Sequence, residues 1–315
     1  MSIPTINDVR TINPVLTDLS IGFKNERFHW DKIARPKRTN EKSGSYPTYT
    51  RDYWFRRMTG GLRAPGGEYT QAPGYGISWA TFNALERGFE KGLDDSIRRA
   101  NQTADDLGIV DLAYLTNLIQ LELEKEVAAA AFVTGVWGTS TTLTGTDQWS
   151  DLDASDPIDK IEVAKRTIRR NTGSKPTCIC VGALVWEKLK EHPLLLDKYK
   201  HTQRGILTED LVAQAFGVDR LMVADSVENT VADGQTFTGA DIWTDNVLVF
   251  VDNAPGLMTP TGAITFIWDE QGNYPWGVQE YRWEKTRSNV QRVFTHFDIK
   301  IVAAQLGYMY LDAIA

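Results

Sequence analysis

Residues 111–134 read DLAYLTNLIQLELEKEVAAAAFVT. The stretch contains no Gly or Pro and is dominated by Leu, Glu, Lys and Ala, all good helix formers. Asp111 is the expected N-cap, and Gly135 stands where a left-handed residue would close the helix. At 1.5 Å per residue such a helix runs about 35 Å. Leu112, Leu115, Ile119, Leu123 and Ala130 form one apolar stripe, and Tyr114, Leu118, Leu121 and Phe132 a second beside it. Asn117, Gln120 and Glu124 then mark the wet side. Glu122 and Glu126 fall between the stripes and need a basic partner or a solvated edge, because an unpaired buried carboxylate is costly. The helix is a spine covered on most of its circumference. Taken alone, it reads as the core helix of an ordinary enzyme.

The totals set the frame for this spine. A chain of 315 residues forms one large or two modest domains. Its 42% hydrophobic and 24% charged content is that of a globular protein. No apolar run reaches the roughly 18–20 residues of a membrane span, and the N-terminus has neither the basic nor the apolar region of a secretory signal. Cys178 and Cys180 sit two apart, a spacing that would strain a disulfide, so a reducing compartment is expected. The net charge of −7 offers no general attraction to nucleic acid or membrane. Ten tryptophans suit large protein–protein contacts or a generous core.

Upstream of the spine, residues 1–33 read as an arm: Ile3, Ile6, Val9, Ile12 and Val15 recur every three residues, interrupted by Pro4 and Pro14. Residues 34–78 hold seven Gly and four Pro, with eight basic residues against three acidic ones. That surplus of five leaves the rest of the chain at −12. Tyr46–Phe55 alternates polar and aromatic residues like an extended ribbon. Such a segment cannot build a core. A disordered loop, a nucleic-acid arm and a long hairpin laid over another subunit all fit, and the opposite charge of the remainder favours the protein partner. Trp79, Phe82, Leu85, Phe89 and Leu93, at spacings of three and four, predict a helix over 79–110.

Downstream, Asp156-Pro157 opens a helix that Gly173 closes. Thr177–Val181 is a buried strand, Leu184–Leu189 a helix stopped before Pro193, and Thr208–Phe216 a helix closed by Gly217. Arg220–Val223 and Asn246–Val251 are further strands of a compact α/β unit. Beyond Gly256 the pattern alternates through Ile264–Trp268, Val278–Trp283, Val290–Phe294, Phe297–Val302 and Tyr308–Ile314, as long antiparallel strands.

Chemistry is sparse. There is no P-loop, nucleophile elbow or dinucleotide fingerprint. His29, His192, His201 and His296 lack metal-ligand spacing and read as surface or capping residues. Cys178 and Cys180 read as buried thiols without a second pair for zinc. Asp151, Asp153, Ser155, Asp159 and Glu162 follow a calcium-loop spacing, but Asp156 stands where that loop needs Gly. No catalytic residue, metal or cofactor is expected. A metal-dependent or hydrolytic α/β enzyme remains the alternative class, without a constellation to carry it.

The order of parts, with LELEKEVAAAAF at 121–132, QWSDLDASDPIDKIEVAKRTI at 148–168, KPTCICVGALVWEKL at 175–189, LTEDLVAQAFGVDRLMVADS at 207–226, NVLVFV at 246–251 and DIKIVAAQLGYMYLDAI at 298–314, resembles the major capsid proteins of tailed double-stranded DNA bacteriophages. The resemblance implies the α+β fold of the Hong Kong 97 phage type. It assigns 1–33 to an N-terminal arm, 34–78 to an extended loop, 79–149 to a peripheral domain with the spine, 150–255 to an axial domain, and 256–315 to peripheral strands and the C-terminus. It implies self-assembly into hexamers and pentamers of an icosahedral head around non-specifically packaged DNA, with portal and decoration proteins as partners and no membrane. The particle would be a virion assembled in the host cytoplasm. An arm this short implies a separate scaffolding protein or assembly after processing. Some relatives cross-link a loop Lys to an Asn; Lys37 and Lys42 lie in that loop without a further signature. An encapsulin-type nanocompartment shell shares the fold. The loop arginines Arg51, Arg56, Arg57 and Arg63 are the expected inter-subunit contacts, with Glu122 and Glu126 of the spine as possible acidic partners.

Overall fold

The computed structural model describes residues 28–49, 51–100, 104–199, 207–232, 234–236, 238–256, 259–270, 272 and 274–315. The expected arm lies outside these except for its last six residues, 28–33, and so does His201.

One helical turn, α1 (Trp30–Ile33), enters β1 (Ala34–Thr39). A hairpin of β2 (Ser43–Tyr49) and β3 (Ile77–Asn83) follows, with α2 (Arg51–Trp54) at the start of its long tip. β4 (Leu85–Asp94) and α3 (Asp95–Ala100) lead to the spine, α4 (Ala104–Ala131). Then come β5 (Thr139–Thr142), α5 (Pro157–Thr172), β6 (Cys178–Gly182), α6 (Ala183–Glu191), α7 (Pro193–Tyr199), α8 (Glu209–Phe216) and β7 (Arg220–Ala224). A small hairpin, β8 (Val227–Asn229) and β9 (Gly239–Asp241), precedes β10 (Val247–Phe250). The chain ends through β11 (Ala263–Trp268), β12 (Gly277–Trp283), β13 (Ser288–Ile301) and β14 (Gly307–Leu311).

The spine differs from its sequence reading in three ways. It starts at Ala104, so Asp111 is a side chain within the helix, paired to Lys91 Nζ at 2.6 Å, and not its cap. Gly135 does take a left-handed φ of 80°, but in the turn beyond the helix; Trp137 Nε1 satisfies the terminal carbonyl of Ala131 at 2.7 Å. Most important, Gln120 and Glu124 are buried, while Tyr114, Lys125, Ala129 and Val133 face out. The buried stripe runs Leu112, Leu115, Ile119, Leu123, Val127, Ala131 with Thr116, Gln120 and Glu124 alongside.

Residues 79–94 are strands, not a helix. β4 pairs with β13 over ten residues, Ser288↔Asp94 to Phe297↔Leu85. Gly88 and Gly92 weaken any helix there. Gly88 is required by the approach: a Cβ on it would lie 2.9 Å from Val293 O and Phe294 Cβ. Regular three-and-four spacing of aromatics was outweighed by a long partner strand.

Two five-stranded sheets result. The first runs β1-β11-β13-β12, with β4 also on β13; β1 is parallel to β11 and the remaining pairings are antiparallel. Val290–Phe294 and Phe297–Val302, expected as two strands, form one continuous β13. The second runs β5-β14-β10-β6-β7. The last strand therefore joins the α/β unit, as does β5, so the expected boundaries at 149 and 256 cut across that sheet.

Alternation along the second sheet divides the core. Cys178, Cys180, Leu248, Phe250 and Met309 face the spine, Trp243 and the first sheet, whereas Ile179, Val181, Val247, Val249, Tyr308 and Tyr310 face α5, α6 and α8. Both thiols are free and buried, as read. α5 starts as expected: Asp156 Oδ1 accepts from the amides of Ile158 and Asp159 at 3.0 Å each, and Gly173 ends it with φ 71°. Asp151 Oδ1 likewise accepts from its own turn's amides, Asp153 at 3.1 Å and Ala154 at 3.0 Å. His29, His192 and His296 are buried, a correction to their reading as surface groups, although His192 does cap, its Nδ1 accepting from Leu194 N at 3.3 Å.

Candidate subunit interface

The hairpin is packed firmly at its base and touches the rest of the chain beyond it at the turn after β2. Its strands pair in register from Ser43↔Asn83 to Tyr49↔Ile77, and Pro47 is tolerated because β2 is an edge. At the base Phe82 stacks on Phe266 with ring centroids 4.4 Å apart, and Tyr46 stacks on the same ring at 5.3 Å. This is a small core of its own, closed by Ile264. Lys37 and Lys42 lie over Phe266 and Trp268 at 5.9 and 5.7 Å, apolar-face contacts that keep both in the first sheet's neighbourhood.

Beyond the base the apolar side chains face outward. Trp79 is 67% exposed, Phe55 61%, Tyr69 76% and Leu62 97%, and Tyr49, Trp54 and Tyr75 form an open aromatic cluster with centroids 5.8–6.3 Å apart. A lone subunit rarely leaves so much contiguous apolar surface in water. Trp, Tyr, Met and Arg together are the composition of an interface core.

The loop arginines divide. Arg63 is used inside the tip, its Nε donating to Gly67 O at 2.6 Å and its guanidinium lying 4.8 Å from the Tyr69 ring centroid. Arg51 reaches Asn171 O at the end of α5, 3.3 Å away, and Phe55 lies against Gly173. Arg56 and Arg57 are exposed and have no ion-pair partner among the described residues. Glu122 and Glu126 are held within the same chain: Arg87 of β4 reaches them at 3.9 and 2.9 Å while stacking over Phe297.

Two polar joints were missed by sequence reading. Glu124 accepts from His29 N (2.8 Å), Trp30 N (2.7 Å), Ser226 Oγ (2.9 Å) and Trp243 Nε1 (2.6 Å), tying the incoming segment, the spine and the α/β unit at one carboxylate. Burial pushes this carboxyl above the ordinary range against the pull of those donors. A signal existed: Glu124 lies four residues from Gln120 and Ala128 on one helix face, beside Val127. The second joint is Asp252, which receives Arg35 Nε and Nη2 at 2.7 Å each and Arg220 Nη2 at 2.6 Å. It links β1 to the second sheet, and its hydrogen bonds raise the Arg35 pKa.

A spine helix between a peripheral sheet and an α/β sheet, with a projecting hairpin, is the fold of the Hong Kong 97 phage type. Residues 135–275 match the family described as Phage major capsid protein E. Over 247 residues the chain is 27% identical to the major capsid protein of Burkholderia phage BcepMu, covering 78% of this chain and 77% of that one. Among solved structures, a phage-related protein from Bordetella bronchiseptica RB50 superposes with a TM-score of 0.76 at 20% identity, over 96% of this chain and 98% of the other. The capsid subunit of cyanophage P-SCSP1u does so with 0.57 at 11% identity, over 99% and 90%. The chain is thus similar to phage major capsid proteins in sequence over about three quarters of its length, and shares their fold over nearly all of it.

Proposed function

We propose that this chain closes into hexamers and pentamers of an icosahedral head around packaged double-stranded DNA, with no catalytic role. The hairpin lies over a neighbouring subunit. Arg51, Arg56 and Arg57 meet carboxylates there, while Arg63 stiffens the tip that delivers them. The observation that carries this reading is the apolar ribbon from Tyr49 to Trp79, which has a folded base and a far half whose aromatic side chains stay largely exposed. Each subunit is expected to bury well over the roughly 1,600 Å² of a standard interface. Portal, scaffolding and decoration proteins complete such a head, which is assembled in the host cytoplasm. Electron microscopy of purified protein tests it: capsomers or closed particles are expected. A compact monomer at high concentration in the ultracentrifuge would overturn it. Cargo protein in place of nucleic acid inside native particles would shift the reading to a nanocompartment.

A further inference from the structure

α5 and α8 each lead directly into one of the parallel strands β6 and β7. They lie side by side, with Lys165 Nζ donating to Phe216 O at 2.6 Å. Both therefore end at the edge where Cys178 and Arg220 begin their strands. α8 begins, and β7 ends, at the opposite edge, a five-residue strand or about 17 Å away.

Charge is sorted between these two edges. At the first, Arg166, Arg169 and Arg170 share the exposed face of α5, and Lys175 follows its end. The Arg51–Asn171 and Phe55–Gly173 contacts bring the hairpin turn, with Arg56 and Arg57, to the same place. None of these six cations has an ion-pair partner among the described residues; the nearby Glu162 is taken by Lys165 at 2.6 Å. At the second edge stand exposed Glu209, Asp210 and Asp225. Beyond the effect of burial, Asp210 and Asp225 push the Glu209 carboxyl up, and Lys32 offsets this only in part. Helix dipoles favour bases at a C-terminus and acids at an N-terminus, which accounts for Arg169, Arg170, Glu209 and Asp210. They do not account for Arg56, Arg57, Lys175 or Asp225, which lie outside the helices.

We propose that this basic edge docks on the acidic edge of a second copy, a head-to-tail contact between the α/β units of neighbouring subunits. It rests on the shell reading and adds to it the surface that joins subunits in a ring. Different patches at opposite ends of one body make a heterologous contact, the kind that closes rings when the rotation fits. The partner is protein because Trp54 and Phe55 stand exposed within the basic edge, and an aromatic–arginine surface opposite carboxylates is interface chemistry.

Charge reversal and its rescue test this. Arg169→Glu with Arg170→Glu, and separately Glu209→Lys with Asp210→Lys, should each lower the yield of closed particles about ten-fold or more near 0.1 M salt. The four-fold variant should recover most of it. Thermal unfolding of the unassembled subunits should stay near wild type; where a reversal impairs folding, Arg169→Gln with Arg170→Gln takes its place and should also lower the yield. Unchanged assembly of the basic-edge variant, or a four-fold variant no better than its parents, overturns the contact. Normal particles that lose only retained DNA would make nucleic acid the partner and also overturn it. Failure of wild type to form particles would instead sink the shell reading.

Discussion

Glu124 shows how one buried carboxylate can replace many apolar contacts. It stands on the core face of the spine and gathers four donor groups from three parts of the chain. Glu124→Ala removes the shared acceptor, and although Trp243 Nε1 keeps Ser226 Oγ at 2.9 Å, each donor left buried and unsatisfied costs about 1–3 kcal/mol. A loss of at least about 3 kcal/mol in urea unfolding is expected, with faster hydrogen exchange at the His29 and Trp30 amides. His192 gives the pH dependence. Its ring is fully buried, Nδ1 accepts from Leu194 N, and Nε2 faces Ser155 Oγ at 3.1 Å. Burial lowers its pKa, so the folded state binds the proton less readily than the unfolded chain does. This contribution to stability is intact above the unfolded value of about 6.5 and is lost as pH falls below it toward the folded value. Urea midpoints at pH 7.5 and 5.5 should differ less in His192→Gln than in wild type. At this scale the sequence was legible where the role is local, as at Asp156 and Gly173. It was not where partners come from distant segments: nothing near Glu124 in sequence announces Ser226 or Trp243.

Elements divide along the same line. α5, β6, α8, β7 and β10 could be read because each combines a cap or glycine stop with a short apolar run, so local chemistry and tertiary packing agree. β3 and β4 could not, because their identity is set by β2 and by β13, some two hundred residues downstream in the latter case. The hairpin was legible as a ribbon from its alternation, and its lack of a core follows from composition. That separates its stability from that of the subunit. Replacing residues 51–75 by a short turn should leave both five-stranded sheets and the circular dichroism intact, with thermal unfolding within a few degrees of wild type. The same deletion should abolish particles seen by electron microscopy. A subunit that unfolds on deletion would place the tip inside its own core. Arg56→Glu with Arg57→Glu is the milder version: unchanged unfolding of the subunit with a collapse in particle yield. Each exposed pair of the proposed contact would contribute only about 1 kcal/mol or less, but a shell would repeat it at every copy.

For the whole molecule, the question is what a chain of net charge −7 does with a concentrated basic edge. In a free subunit that edge is open, and six cations on one surface attract duplex DNA without reading its sequence. In the proposed head-to-tail ring the same edge would be covered by carboxylates of the next copy. Free subunits should therefore bind DNA weakly, with a non-specific dissociation constant of about 10⁻⁶–10⁻⁴ M near physiological salt, and with affinity falling steeply as salt rises. Assembled capsomers should bind more weakly still and with a smaller salt slope, because the counterions have already been released by the protein partner. Filter binding of the two forms at 50 and 200 mM salt separates these cases. Equal slopes would mean that assembly leaves the basic edge uncovered, and nanomolar sequence-specific binding by either form would contradict a shell lining that lets densely packed phosphates move. Weak binding suits the proposed role, since a lining that held each phosphate tightly would oppose both the filling and the emptying of a DNA-packed head.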